Sequence, residues 1–303
     1  MKMVSPREKQ IYKVTAVGSI VNIVLTAFKF VAGIVGRSSA MVADAVHSLS
    51  DLLTDIIVVV FVRTASKPVD SNHRYGHGKF ETLATLIVGL LLIIVGIGIL
   101  IAGINESLAF FRGEVGEPPG MIALIAAVLS IVLKEGVYRY TVSRGRQVDS
   151  PVLIANAMHH RSDAFTSVAT LIGVAGAYFL GKKWIILDPI AAIVVSFFIC
   201  KSGYEVVKPS IDELLEKSLP KETEKEIQQL LRSVPGIEGI HKLKTRKIGN
   251  KIAIEAHTEM NGKMSLEEAH SIATEAENKL RKQFGSKTHI GIHMEPAKPH
   301  QEK

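Results

Sequence analysis

Residues 80–105 read FETLATLIVGLLLIIVGIGILIAGIN, and this stretch decides what kind of fold the chain can have. No charged side chain occurs between Thr82 and Asn105. A helix rises about 1.5 Å per residue, so an apolar run of this length spans the roughly 30 Å hydrocarbon core of a bilayer. The stretch therefore predicts a transmembrane helix rather than the interior helix of a water-soluble domain.

The rest of the chain repeats this pattern. Hydrophobic residues make up 47% of the 303 residues and charged residues only 21%, a balance typical of a membrane protein. Further long apolar runs lie at residues 11–35, 39–63, 119–138, 152–181 and 185–207. We therefore predict an α-helical membrane protein with six transmembrane helices.

Lysine and arginine are unevenly distributed among the connecting loops. One side of the membrane would carry the basic N terminus and the loops around Arg63, Lys79 and Arg139, whereas the other would carry few basic residues, such as Arg37 and Arg112. Because positive loops stay on the cytoplasmic side, we expect both termini in the cytoplasm of a multi-pass inner-membrane protein. The net charge of +7 fits these loops and anionic lipid, so no nucleic-acid partner is expected.

The final third of the chain is polar and changes periodicity. Apolar residues stand at helical spacing in 221–234 and alternate with polar residues in 239–249, 251–260 and 288–296. The segment Ser265–Glu268 has the spacing of a capping box at the start of a second helix. We predict a transmembrane domain over 1–208 and a cytoplasmic domain over 209–303, the latter a small α+β fold of ferredoxin-like type with the order αββαβ.

Two of the predicted transmembrane helices carry the same polar pair. HSLSD runs from His47 to Asp51 in the second helix, and HHRSD runs from His159 to Asp163 in the fifth. Residues four apart lie on one face of a helix, and unpaired ionisable groups are costly inside a membrane. Two imidazoles and two carboxylates make a complete tetrahedral ligand set for Zn²⁺. The pairs predict an intramembrane metal site; the alternative is that each histidine only hydrogen-bonds between helices.

Other ionisable residues also fall within the apolar runs. Asp44 and Asp55 stand at helical spacing from His47 and Asp51. They could extend this polar face into an ion or proton path, or they could be hydrated residues near the ends of the helix. Lys29, Lys134 and Glu135 are expected to pair with other groups or to reach toward the membrane surface.

Two further groups of potential metal ligands lie outside these helices. The loop PVDSNHRYGHGK holds one carboxylate and two imidazoles, enough for a weak site with an open coordination position, although a solvated loop can have the same composition. These loop residues are Asp70, His73 and His77.

The polar C-terminal segment concentrates histidines. His293 and Glu295 are two apart on a predicted strand, so both point to one face of the sheet. Scattered surface histidines are the alternative interpretation. We predict a cytoplasmic metal site formed by His241, His257, His270, His293 and Glu295.

Six helices, paired His-x-x-x-Asp motifs, the Asp-x-x-His-x-x-x-His loop and a histidine-bearing cytoplasmic domain together resemble the cation diffusion facilitator family over nearly the whole chain. The resemblance implies a homodimeric metal/proton antiporter of the bacterial zinc type, with its transport site on the two helical pairs. It also implies a loop site and a cytoplasmic binuclear site at the dimer interface, on the residues named above. Lys79 matches a residue that makes an interdomain charge contact in relatives, with Glu216 as its partner here.

Two residues depart from the bacterial zinc exporters that this chain resembles, which carry Asp at the positions of His47 and Glu295. With His47, the ligand set resembles that of animal zinc transporters, and this resemblance favours zinc over manganese or iron. The longer carboxylate of Glu295 leaves open whether the cytoplasmic site holds one ion or two.

The sequence thus predicts a transporter that exchanges Zn²⁺ for protons by alternating access, with Zn²⁺ also a structural or regulatory ligand. Export of Fe²⁺, Mn²⁺, Cd²⁺ or Co²⁺ is the alternative within the family. An intramembrane metalloenzyme is disfavoured because the chain has no HExxH motif and four protein ligands leave no position for a catalytic water. A membrane metal sensor is the remaining rival, which a transport assay would separate.

Overall fold

The computed structural model describes residues 6–65, 67, 69–114, 116–147, 151–249 and 251–297. Within these ranges, the described side chains exclude residues 6–12, 51, 54–65, 151–152, 155–156, 159–160 and 162. The chain divides into two compact units, which we call the helical unit (residues 1–56 and 87–206) and the sheet unit (residues 57–86 and 207–303).

Six long helices correspond to the six predicted apolar runs. They are α1 (Pro6–Val35), α2 (Ser39–Ala65), α3 (Lys79–Phe111), α4 (Met121–Gln147), α5 (Pro151–Phe179) and α6 (Leu187–Leu214), with a single 3₁₀ turn at Lys182–Trp184 before α6. Among the described residues, four stretches are long and apolar enough to cross a membrane: Lys13–Val35, Lys79–Phe111, Met121–Gln147 and Lys182–Leu214. A helical membrane domain is therefore confirmed, and the crossing of all six helices stays a prediction.

The helical unit packs through small residues. A Cβ on Gly96 of α3 would lie 2.7 Å from the Sγ of Cys200 on α6, and a Cβ on Gly203 of α6 would lie 2.9 Å from the carbonyl oxygen of Gly89. Side chains at these glycines would collide, so the backbones of α3 and α6 approach closely, as is common between membrane helices. Large apolar side chains such as Ile94 remain exposed on the outside.

The sheet unit has the predicted element order. Its remaining elements are α7 (Lys221–Arg232), β1 (Gly239–Ile248), β2 (Lys251–Met260), α8 (Leu266–Phe284) and β3 (His289–Pro296). β2 lies in the centre of the sheet, antiparallel to β1 and parallel to β3. The capping box of α8 is confirmed, since Ser265 and Glu268 hydrogen-bond each other's backbone N–H. The order αββαβ is thus observed, while the assignment of this three-stranded sheet to the ferredoxin-like type stays a prediction.

Helices α7 and α8 both contribute to one buried core. Ile227 and Leu231 of α7, Leu280 of α8 and Ile254 of β2 are all fully buried in it. Side chains alternate across a strand, so His257 and the other odd-numbered positions after Ile254 lie on the opposite face of β2. That face is available for ligands.

Candidate metal centres

The two intramembrane ligand candidates whose side chains are described are both buried. His47 on α2 is 4% exposed and Asp163 on α5 is 7% exposed. The Nδ1 of His47 has no hydrogen-bond partner in the described part of the chain. A buried polar nitrogen without a partner is costly unless it binds something, so this imidazole is available as a ligand.

A hydrogen-bonded contact joins α2 and α5 near these two residues. Asp44, one turn before His47, accepts hydrogen bonds from the Ser167 hydroxyl with both carboxylate oxygens at 3.1 Å. Ser167 in turn lies one helical turn after Asp163. The two helices therefore meet one turn away from the two ligand candidates.

The other two predicted ligands of this site have side chains outside the described residues. The backbone of α2 places Asp51 one turn after His47, and that of α5 places His159 one turn before Asp163, as their spacing predicted. The side chain of Asp55 is also outside the described part of α2.

Asp44 is held by a buried ion pair that the sequence does not reveal. The Nζ of Lys29 on α1 lies 2.6 Å from Asp44 Oδ2, and both side chains are completely buried. Lys29 also donates to the hydroxyls of Ser48 at 3.1 Å and Ser167 at 3.2 Å. The expectation that Lys29 pairs is confirmed, whereas a wet position near a helix end is wrong for Asp44. A sequence shows that both residues are in apolar runs but not that their helices touch.

The predicted loop residues converge in the structure. Asp70 Oδ1 lies 3.3 Å from His73 Nδ1, and Asp70 Oδ2 lies 3.2 Å from His77 Nε2. Potential ligand atoms of all three residues lie within 4.8 Å of one another. Hydrogen bonds from the backbone N–H groups of His73 and Asn72 hold the pKa of Asp70 below its ordinary value. The carboxylate is therefore ionised and ready to bind a cation.

Close backbone contacts fix this loop within the sheet unit. A Cβ on Gly78 would lie 2.6 Å from the carbonyl oxygen of Ile248, at the end of β1. Lys79 Nζ lies 3.2 Å from Glu216 Oε1, the charge contact that the family resemblance implied. The hydrogen bond from Lys79 also holds the pKa of Glu216 below its ordinary value. These two contacts hold the C-terminal end of the loop in place.

The cytoplasmic cluster forms across all three strands. His241, His257 and His293 occupy paired positions on β1, β2 and β3. Glu295 joins them: its Oε1 lies 2.6 Å from His257 Nδ1 and its Oε2 lies 2.9 Å from His241 Nε2. The contact with His257 holds the pKa of Glu295 below its ordinary value. Potential ligand atoms of His241, His257 and Glu295 lie within 4.8 Å of one another.

The other predicted members of this cluster differ in position. His293 is more exposed, with Nε2 3.5 Å from Glu295 Oε1, and the ligand atoms of His270 on α8 do not join the described cluster. Glu259, which sequence reasoning missed, lies 3.3 Å from His241 through its carboxylate. Its position two residues after His257 on the same strand was the signal that could have found it.

Comparison with known proteins identifies the family. The family model described as "Cation efflux transmembrane domain" matches residues 15–215, and "Cation efflux protein, cytoplasmic domain" matches residues 219–297. The chain belongs to the cation efflux, or cation diffusion facilitator, family. Cation efflux proteins are transporters of divalent metal ions, so the prediction that the chain is not an enzyme is confirmed.

Several relatives of this cation efflux protein match along most of its length. It is 34% identical to the manganese efflux system protein MneP of Bacillus subtilis (strain 168) over 298 residues, covering 97% of this chain and 99% of that protein. It is 33% identical to metal tolerance protein C1 of Arabidopsis thaliana, covering 94% of this chain and 62% of that protein. The metal-bound C-terminal domain of the CzcD transporter from Thermotoga maritima is 26% identical, with a TM-score of 0.23, covering 27% of this chain and 100% of that structure.

Proposed function

We propose that this cation efflux protein exports Zn²⁺ across the cell inner membrane in exchange for protons, by alternating access to a site formed by His47, Asp51, His159 and Asp163. The observation that carries the proposal is the buried His47 imidazole, whose Nδ1 has no hydrogen-bond partner among the described residues. Two nitrogen and two carboxylate ligands suit a borderline divalent ion such as Zn²⁺.

The proton half of the exchange follows from ligand chemistry. A ligating imidazole must be neutral and a ligating carboxylate ionised, so metal and protons compete for the same four groups. Protons would also limit the charge of the empty site as it returns through the membrane.

Six membrane crossings with both termini in the cytoplasm are part of the proposal. Support comes from α2 and α5, which have 27 and 29 residues, each long enough to span a bilayer. We place the transmembrane domain at 1–208 and the cytoplasmic metal-binding and dimerisation domain at 209–303, in a homodimer surrounded by lipid. The matched cytoplasmic-domain family supports the homodimer.

The loop and cytoplasmic clusters would bind the same ion at the cytoplasmic face. The convergence of Asp70, His73 and His77 supports a loop site, and that of His241, His257 and Glu295 supports a cytoplasmic site. His293 would close in as an additional ligand of the cytoplasmic site, and His270 would join only through a partner subunit or a rearrangement.

Manganese export is the second candidate, because a relative that matches 97% of this chain is a manganese efflux protein. Imidazole ligands favour Zn²⁺, whereas Mn²⁺ prefers oxygen ligands, so the two candidates make opposite predictions.

Purified protein in liposomes would decide between them. Initial flux is measured for Zn²⁺, Cd²⁺, Fe²⁺ and Mn²⁺ in turn, with the pH gradient set in each direction, and Asp163→Ala protein is measured in parallel. We expect Zn²⁺ flux that changes with the sign of the gradient. Mn²⁺ flux well above Zn²⁺ flux would favour manganese export. If none of the metals is transported, a membrane metal sensor becomes the favoured function.

A further inference from the structure

A second buried lysine, Lys134 on α4, stands beside the proposed transport site. It is 5% exposed, so its side chain is enclosed by the protein. Its Nζ donates a hydrogen bond to the backbone carbonyl oxygen of Asp163 at 3.1 Å. Among the described residues, no carboxylate lies within ion-pair distance of this Nζ.

The contrast with Lys29 makes this arrangement informative. Lys29 is neutralised by Asp44 at 2.6 Å and by two serine hydroxyls. Glu135, next to Lys134 in sequence, turns to the outside and pairs with Arg139 at 2.7 Å. The positive charge of Lys134 is therefore left unbalanced by its own neighbours on α4.

The unbalanced charge acts on the site itself. The hydrogen bond from its ammonium reaches the peptide of Asp163, one of the four proposed ligands, and Lys134 and His47 are both buried in the helical unit. A buried ammonium with a single described hydrogen bond is costly. We therefore expect this charge to have a function at the neighbouring cation site.

We propose that the positive charge of Lys134 sets the metal affinity of the transport site. Its fixed positive charge offsets part of the negative charge of the two ligating carboxylates, so it repels a divalent cation and weakens binding. A transporter needs a site tight enough to load but weak enough to unload, and Lys134 shifts the balance toward release. This inference rests on the proposed function, since it assumes that the metal binds at His47 and Asp163.

Three substitutions separate the charge of Lys134 from its hydrogen bond. Lys134→Met removes both, Lys134→Gln removes the charge but keeps a donor for the Asp163 carbonyl, and Lys134→Arg keeps both. Arg139→Met removes the same charge from an exposed position one turn further along α4 and is the matched control.

The assay is initial Zn²⁺ and Mn²⁺ flux into liposomes as a function of metal concentration. We expect Lys134→Met and Lys134→Gln to lower KM on the order of tenfold, because an uncharged side chain no longer repels the ion. Their maximal rates should fall, because the metal leaves more slowly. Lys134→Arg and Arg139→Met should keep KM within about twofold of wild type.

The outcomes distinguish this inference from the proposed function. An unchanged or higher KM in Lys134→Gln overturns the inference, and this variant decides alone if Lys134→Met does not insert. A raised KM in Lys134→Met but not in Lys134→Gln would assign the residue a role in holding the α5 backbone only. Full transport by Asp163→Ala, measured in parallel, would instead overturn the location of the transport site.

Discussion

Replacing Asp44 with asparagine should sharply reduce the thermal stability of the protein. The carboxylate of Asp44 and the ammonium of Lys29 are both completely buried and 2.6 Å apart, so removing one charge leaves the other uncompensated where water does not screen it. Breaking a buried pair in this way costs about 3–5 kcal/mol. The lower end, about 3 kcal/mol, is expected because Lys29 keeps its hydrogen bonds to Ser48 and Ser167.

The expected change in melting temperature follows from the size of the membrane domain. About 2–4 °C is lost per kcal/mol for a domain of this size, so Asp44→Asn should melt roughly 6–12 °C below wild type. The assay heats the full-length protein in detergent and measures the fraction that remains monodisperse by size-exclusion chromatography.

Two controls separate the buried charge from other effects. The double variant Lys29→Met with Asp44→Leu removes both charges and should melt within about 3 °C of wild type, because a buried pair can often be replaced by apolar side chains. Glu117→Gln removes a carboxylate from the exposed pair with Arg37 and should change little. If Asp44→Asn itself melts within about 2 °C of wild type, the buried pair does not stabilise the helices as argued.

Three further predictions concern the metal sites and the loop. His47→Asp should keep Zn²⁺ flux but relax selectivity toward Cd²⁺ or Mn²⁺, because a carboxylate is a harder ligand than imidazole; unchanged flux ratios among these metals would show that this position does not choose the ion. Replacing His257 and His293 together with alanine should weaken the metal-dependent association of the proposed homodimer, measured by analytical ultracentrifugation, and leave transport active. A completely inactive variant would place this domain on the permeation path. Because Lys79 lowers the pKa of Glu216, their contact should be fully present above the ordinary pKa of 4.5 and be lost as the pH falls through the lower folded value. Protease cleavage in the loop that holds Asp70, His73 and His77 should therefore rise at acid pH in wild type but be independent of pH over this range in Glu216→Gln. The same acid dependence in both proteins would show that the Lys79–Glu216 contact does not hold the loop.

Local sequence patterns predicted the elements of the fold well. Apolar runs located the six long helices because helix length and hydrophobicity are properties of contiguous residues. The capping box at Ser265 and the strand alternation around His257 were readable for the same reason. The type of sheet and the number of membrane crossings depend on packing and surroundings that a local pattern does not contain.

The candidate sites could be predicted only in part. The spacing of Asp70, His73 and His77 placed them in one short loop, so their convergence followed from chain geometry. His270 has a side chain that can bind a metal, but it lies on α8 rather than on a strand of the sheet. Its ligand atoms do not join the described cluster. The pairing of Lys29 with Asp44 depends on which helices touch, which one sequence does not reveal.

Zinc flux through Asp163→Ala protein, compared with wild type in liposomes under an imposed pH gradient, tests whether the metal crosses the membrane at the proposed transport site. We expect wild-type flux that grows with the gradient and no flux above protein-free liposomes in the variant, because a three-ligand site loses both a charge and its geometry. The variant must elute at the same volume as wild type. Gradient-driven flux at the wild-type rate from a correctly folded Asp163→Ala protein would show that Asp163 is not a ligand of the transport site.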